Sequence, residues 1–158
     1  MEVKLQELLA YTDWERSSWR DWFSNMGKAV LELSTGGERH KTIAELMKHI
    51  FAVEMRYVQR LKGEPLTPYS AIPTDSVEDL FDFGYESRAA FKEFVNRTAD
   101  WNQPFEFSVL DFQIKAPIRK FVVHVLIHEI RHWAQVALLL RQAGYEDLGE
   151  HDFINSEG

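Results

Sequence analysis

Apolar positions recur at the helical period along most of this chain. Leu5, Leu8, Leu9, Thr12, Arg16, Trp19, Phe23 and Met26 trace one face and predict a first helix from about Lys4 to Asn25. Gly27 and the segment LSTGGERHK break it, with Gly36-Gly37 marking a loop. Thr42 and Glu45 have capping-box spacing and predict a second helix that ends at Gly63. Its inward stripe is Ile43, Leu46, Met47, Ile50, Val53, Glu54, Tyr57 and Leu61, with His49 at the edge. Pro65, Pro68 and Pro73 then require an extended connection too long for a tight helical hairpin.

A third helix is expected from Thr74 or Ser76 to near Asp100, carrying Val77, Leu80, Phe81, Phe91, Phe94 and Val95 and weakened locally at Gly84. Between Pro104 and Pro117 the period changes to strict alternation, which reads as a short extended pair or a packed crossover. The last helix runs from about Ile118 to Ala143 and stops at Gly144, leaving GYEDLGEHDFINSEG as a polar tail. Four amphipathic segments with long crossovers give an all-α four-helix bundle in a single domain over residues 1–158.

Composition narrows the chemistry. There are 25 acidic and 18 basic residues, a net charge of -7, and no basic cluster, so neither nucleic acid nor an anionic membrane is expected as a partner. The N-terminus lacks the apolar core and cleavage site of a signal peptide, and the most apolar stretch carries His, Glu and Arg, so a soluble cytoplasmic protein is expected. Cysteine is absent, which leaves His, Asp and Glu as the available metal ligands.

Four of the six histidines fall on predicted helices, and His124, His128 and His132 are spaced by four on the last one. Imidazoles on adjacent turns are about 6 Å apart along the axis and can meet one ion, whereas residues eight apart are separated by about 12 Å and cannot. The remaining ligand must come from another helix, and His49 is the evident donor. Taken alone, His124 reads as a polar edge residue. His128 and His132, on an otherwise apolar face, would each cost desolvation if they had no shared purpose. Neutral imidazole suits zinc, nickel, copper or iron, and three protein ligands leave a coordination position open.

The run HEIRH also spells H-E-x-x-H, in which Glu129 would be the general base of a zinc peptidase. Against it, no third histidine follows a nearby glycine turn, and no later helix is available to carry Glu146 or Glu150 as a ligand.

The whole arrangement resembles the DinB-like family, which includes the YfiT-like proteins. Its motifs are matched by Leu8, Leu9, Tyr11 and Trp14 in the first helix and by His49 and Glu54 in the second. In the last helix the matches are His124, His128, His132, Gln135, Leu140, Arg141 and Gly144. Trp133 and Ala134 depart from the Arg and Gly usual there. The resemblance implies metal ligation by His49, His128 and His132, an up-down-down-up bundle and a homodimer. An imidazole-only ligand set accepts zinc and nickel alike, and these are the ions expected. The resemblance further implies a reaction on a small molecule, in some relatives with a low-molecular-weight thiol as cofactor. That thiol must be external here. Glu54, Glu129 and Gln135 are the candidates for supporting or catalytic roles, although Glu129 reads equally as a solvated charge. Two rival accounts are a non-catalytic metal-stabilised bundle, which would bind a partner through its aromatic surface, and the peptidase.

Overall fold

The computed structural model describes residues 4–109 and 111–156. The first three residues of the N-terminal segment and residues 110, 157 and 158 lie outside them. Four long helices carry the fold: α1 (Leu5–Met26), α2 (Ile43–Lys62), α3 (Val77–Arg97) and α4 (Ile118–Gln142). None of the described helices is long and apolar enough to cross a membrane.

Local chemistry sets the helix ends. Thr42 Oγ1 accepts from the Glu45 amide at 3.2 Å, while the Glu45 carboxylate reaches back one residue further than a capping box requires, to the Lys41 amide. Ser76 Oγ caps α3 by accepting from the Asp79 amide at 3.0 Å. Gly63 closes α2 in the left-handed conformation, φ 70°.

The four expected helices are present, and of the two readings of the Pro104 to Pro117 segment the extended pair is the one found, which adds a small sheet to the all-α expectation. β1 (Pro104–Val109) pairs antiparallel with β2 (Phe112–Pro117), Phe105 opposite Ala116 and Phe107 opposite Ile114. The alternation noted between Pro104 and Pro117 is the cause. It puts Phe105, Phe107 and Ile114 half-buried on one face, where the two phenylalanines meet Phe121, and Phe107 also meets Tyr57.

Two apolar clusters form the core. One gathers Trp19, Phe23, Phe51, Phe81 and Trp133; the other gathers Leu9, Val58, Phe91, Val122 and Leu126. On every helix buried polar residues fall between the two clusters in sequence: Thr12, Glu15 and Arg16 on α1, Glu54 on α2, Ser87 and Arg88 on α3, and Glu129 on α4. Arg16 donates Nε and Nη2 to the two Glu129 oxygens at 2.9 Å each and Nη1 to Glu54 at 3.1 Å. Arg88 pairs with Glu54 at 3.0 Å and also with Glu129, and it donates to Thr12 Oγ1 at 2.8 Å. Glu54 and Glu129 are each ion-paired with both guanidiniums, which offsets much of the cost of burying the layer, although Glu54 Oε2 and Arg88 Nε, 3.0 Å apart, meet without a hydrogen bond. Arginine holds the Glu54 carboxyl below the usual carboxylate range, against the opposing effect of burial.

Gly84 belongs to the same layer. A Cβ there would lie 2.9 Å from Phe51 Cζ, so the local weakening expected of this glycine is what lets α3 approach α2. Its carbonyl accepts from Arg16 and from Ser87.

The polar tail also departs from expectation. Leu148 is 3 % exposed, Trp22 Nε1 donates to the Asp147 carbonyl at 2.8 Å, and Tyr11 donates to the His151 carbonyl at 2.9 Å. The His151 ring stacks on Trp19, centroids 4.2 Å apart. The tail is a strap across the open side of α1. The exposed Met26, 43 % accessible, falls outside the inward face assigned to it.

Candidate metal centre

Helical periodicity delivers His128 and His132 to one side of α4 on successive turns, and α2 lies alongside with His49. The three offer ring nitrogens that all lie within 4.8 Å of one another, and His49 Nε2 is 3.0 Å from His128 Nε2. Ring centroids are 4.8 Å apart for His49 and His128, 5.0 Å for His49 and His132, and 4.3 Å for His128 and His132. Two nitrogens bound tetrahedrally at about 2.0–2.1 Å from an ion would be about 3.3 Å apart. The cluster is therefore close to the size a single ion needs.

Second contacts fix which nitrogen faces inward. His132 Nδ1 faces the Gln135 amide oxygen, so it must donate, and Nε2 keeps its lone pair. His49 Nδ1 meets the Tyr69 hydroxyl at 3.3 Å, and when that hydroxyl accepts from Nδ1 the Nε2 lone pair is available. Such outer partners orient ligating imidazoles in metal sites. Tyr69 is brought there by the long connection after α2, clamped where Gln59 holds the Thr67 amide and hydroxyl at 2.8 and 2.7 Å.

Electrostatics keep the rings neutral. Burial pushes His49 down to about 3, reinforced by His40 and His132, and pushes His128 down to about 3, reinforced by His132 and His49. Burial lowers His132 as well, opposed by its bond to Gln135. Three neutral imidazoles packed together repel protons and suit a cation of higher charge. The residues present therefore fit a divalent ion.

A cavity of about 850 Å³ opens beside the cluster, lined by all three histidines together with His124, Tyr57 and Tyr69 among others. His124 stands outside the cluster. Its ring is 5.9 Å from that of His128 and packs against Tyr57 at 5.5 Å. Glu54 and Glu129, the acidic candidates, do not line the cavity; their carboxylates belong to the buried layer with Arg16 and Arg88. The solvated reading of Glu129 is overturned, since it is 2 % exposed. Trp133 is buried, stacks on Trp19 and Phe81, and donates Nε1 to Glu129 at 3.1 Å.

Sequence reasoning missed His40, whose ring lies 4.4 Å from that of His49. It arrives on the loop after α1, which a Ser34–Thr42 bridge and a Thr35-to-Lys41 backbone bond fold back over the cluster. A loop histidine has no periodic partner to signal it. Its position just before the helix that bears His49 was the one available clue.

Four helices with a three-histidine cluster at a cavity define a helical protein with a candidate metal site. The chain matches the DinB family over residues 1–153 and belongs to it. Among solved structures it is similar to a DinB-like protein from Bacillus cereus ATCC 10987, with 22% identity and a TM-score of 0.64, covering 86% of this chain and 90% of that one. That likeness concerns the fold. No curated protein matches the chain.

Proposed function

We propose that His49, His128 and His132 hold one divalent ion, zinc or nickel, and that the site acts on a small molecule. The observation that carries this reading is the convergence of three neutral imidazoles within 4.8 Å beside a ligand-sized cavity. A bound ion would supply Lewis acidity, making a water or an external low-molecular-weight thiol nucleophilic near neutral pH. The chain's own residues do the rest. Gln135 and Tyr69 orient two of the ligands, and Val53, Tyr57 and Ile114 give the cavity an apolar wall beside them. The activity we infer is that of a transferase or hydrolase.

The peptidase account loses support because Glu129, its required base, is held by Arg16, Arg88 and Trp133. The bundle itself we read as up-down-down-up. That reading is supported by Phe51 against Phe81, Glu54 against Ser87, Tyr57 against Phe121 and Arg16 against Glu129. A homodimer, as the family resemblance implies, would cover the exposed Val123, Ile127 and Leu138 of α4.

Elemental analysis of natively expressed protein should find about one equivalent of metal, falling below about a tenth in His128→Ala. A screen of biological thiols against small electrophiles should then give metal-dependent turnover. Full metal retention in the variant would sink the ligand assignment. A metal-replete protein that melts much higher than its apo form, yet turns over nothing, would favour a purely structural ion.

A further inference from the structure

The charged residues lining the cavity, apart from its histidines, are Glu38, Arg39, Arg56 and Arg60. In a chain with 25 acidic residues against 18 basic ones, this is a local reversal of sign. Arg56 and Arg60 lie one turn apart on α2, and among the described residues neither has a carboxylate within 4.0 Å. Arg56 donates to the Thr67 carbonyl at 2.7 Å and lies over the Tyr69 ring at 5.0 Å. Arg60 donates to the Arg56 carbonyl at 3.3 Å and lies over Phe107 at 5.0 Å. A guanidinium has five N–H donors, so most of each fork is uncommitted. Like charges one helical turn apart disfavour each other, and burial together with Arg56 pushes Arg60 down from the usual range. Holding such a pair on aromatic faces at the wall of a cavity makes a fixed receptor for an anion.

Position along the helix adds a length. His49, Arg56 and Arg60 are separated by seven and eleven residues, with both arginines within about 20° of the histidine's direction around the axis, so their Cα atoms stand about 10 and 16 Å from that of His49 along the axis. Between them the wall is apolar, with Val53 and Tyr57 of α2 and Ile114 of the hairpin.

We infer that the cavity takes an anionic small molecule: its carboxylate or phosphate on Arg56 and Arg60, its apolar body along Val53, Tyr57 and Ile114, and its reacting end at the histidine cluster. The identity of the reacting end rests on the metal reading above; the anion subsite does not.

Isothermal titration of the zinc-loaded full chain with octanoate, octyl phosphate, octanamide and octylammonium tests this. The two anions should bind at least about tenfold tighter than octanamide, with octylammonium weakest and the anion advantage shrinking between 50 and 500 mM salt. The stronger anion identifies the headgroup. In Arg56→Gln/Arg60→Gln the advantage should vanish, while Arg60→Lys should retain part of it; a thermal melt establishes that each variant is folded. If the double variant does not fold, Arg60→Gln alone should still weaken the anions about threefold or more. Equal binding of octanoate and octanamide overturns the proposal. So does an anion preference that survives the arginine substitutions but disappears with the metal, because the headgroup then sits on the ion. A preference that persists in His128→Ala lacking metal supports an anion subsite independent of the ion, whereas metal fully retained in that variant overturns the metal reading and leaves the anion subsite to be judged by the arginine substitutions alone.

Discussion

Glu15 lies on α1 at 4 % exposure, and one of its oxygens has no hydrogen-bond partner among the described residues. Burial pushes its carboxyl up to about 8, and the neighbouring Glu129 adds to the rise. The folded state therefore holds this carboxyl protonated up to about pH 8, whereas the unfolded chain ionises near 4.5. Stability is lost as pH rises between those values and not below them. Glu15→Gln removes the loss. It should stabilise the fold by about 1–3 kcal/mol at pH 8, with the gain shrinking toward zero at pH 4, as read from denaturant melts at both pH values. Arg16 gives the opposite kind of result. Arg16→Met strands Glu54 and Glu129 with Arg88 alone and should cost about 3–5 kcal/mol, or prevent folding, in the same assay. An unchanged melt would refute the pairing. None of this was legible in the sequence beyond the inward position of Arg16 and Glu54 in their stripes, because an ion pair between helices leaves no periodic mark. The histidines were legible, since their spacing of four is itself the helical period.

Elements were easiest to read where termini carry their own chemistry. Thr42, Ser76 and Gly63 bound α2 and α3 as their side chains, or lack of one, require. α3 nevertheless ends at Arg97, short of the expected Asp100, since the Thr98 amide turns back to Val95 and the chain leaves for the hairpin. The extended segment before α4 was recognised as alternating, but alternation alone could not choose between a paired hairpin and a crossover. The partners that decide it, Tyr57 and Phe121, come from two other helices. Gly84 is the sharpest test at this scale. Gly84→Ala would improve intrinsic helix propensity, yet it should destabilise by about 1–3 kcal/mol because the new methyl meets the buried Phe51 ring. A variant that melts higher than wild type would show that α2 and α3 do not approach as closely as described.

For the whole molecule, the strap formed by the C-terminal residues is the feature composition hides best. GYEDLGEHDFINSEG is polar on average, and among its described residues Leu148 is the one deeply buried. Its contacts with Trp19, Trp22 and Tyr11 come from side chains more than a hundred residues away, which no local pattern reveals. Truncation after Gly144 should uncover the indoles, lower the melting temperature by several degrees or more and red-shift tryptophan emission. Emission and stability unchanged from full length would mean the strap is dispensable.

His128 and Glu129 are consecutive on α4, yet one ring borders the cavity and the other carboxylate is locked into the interior by two guanidiniums. The backbone between them is a shared partition. Any replacement that lets the arginine layer relax rotates or shifts α4 and so changes the gap between His128 and its counterpart on α2. If the histidines hold an ion as proposed, affinity for it would gauge how well the middle of the protein is assembled, readable from substitutions that never touch those rings.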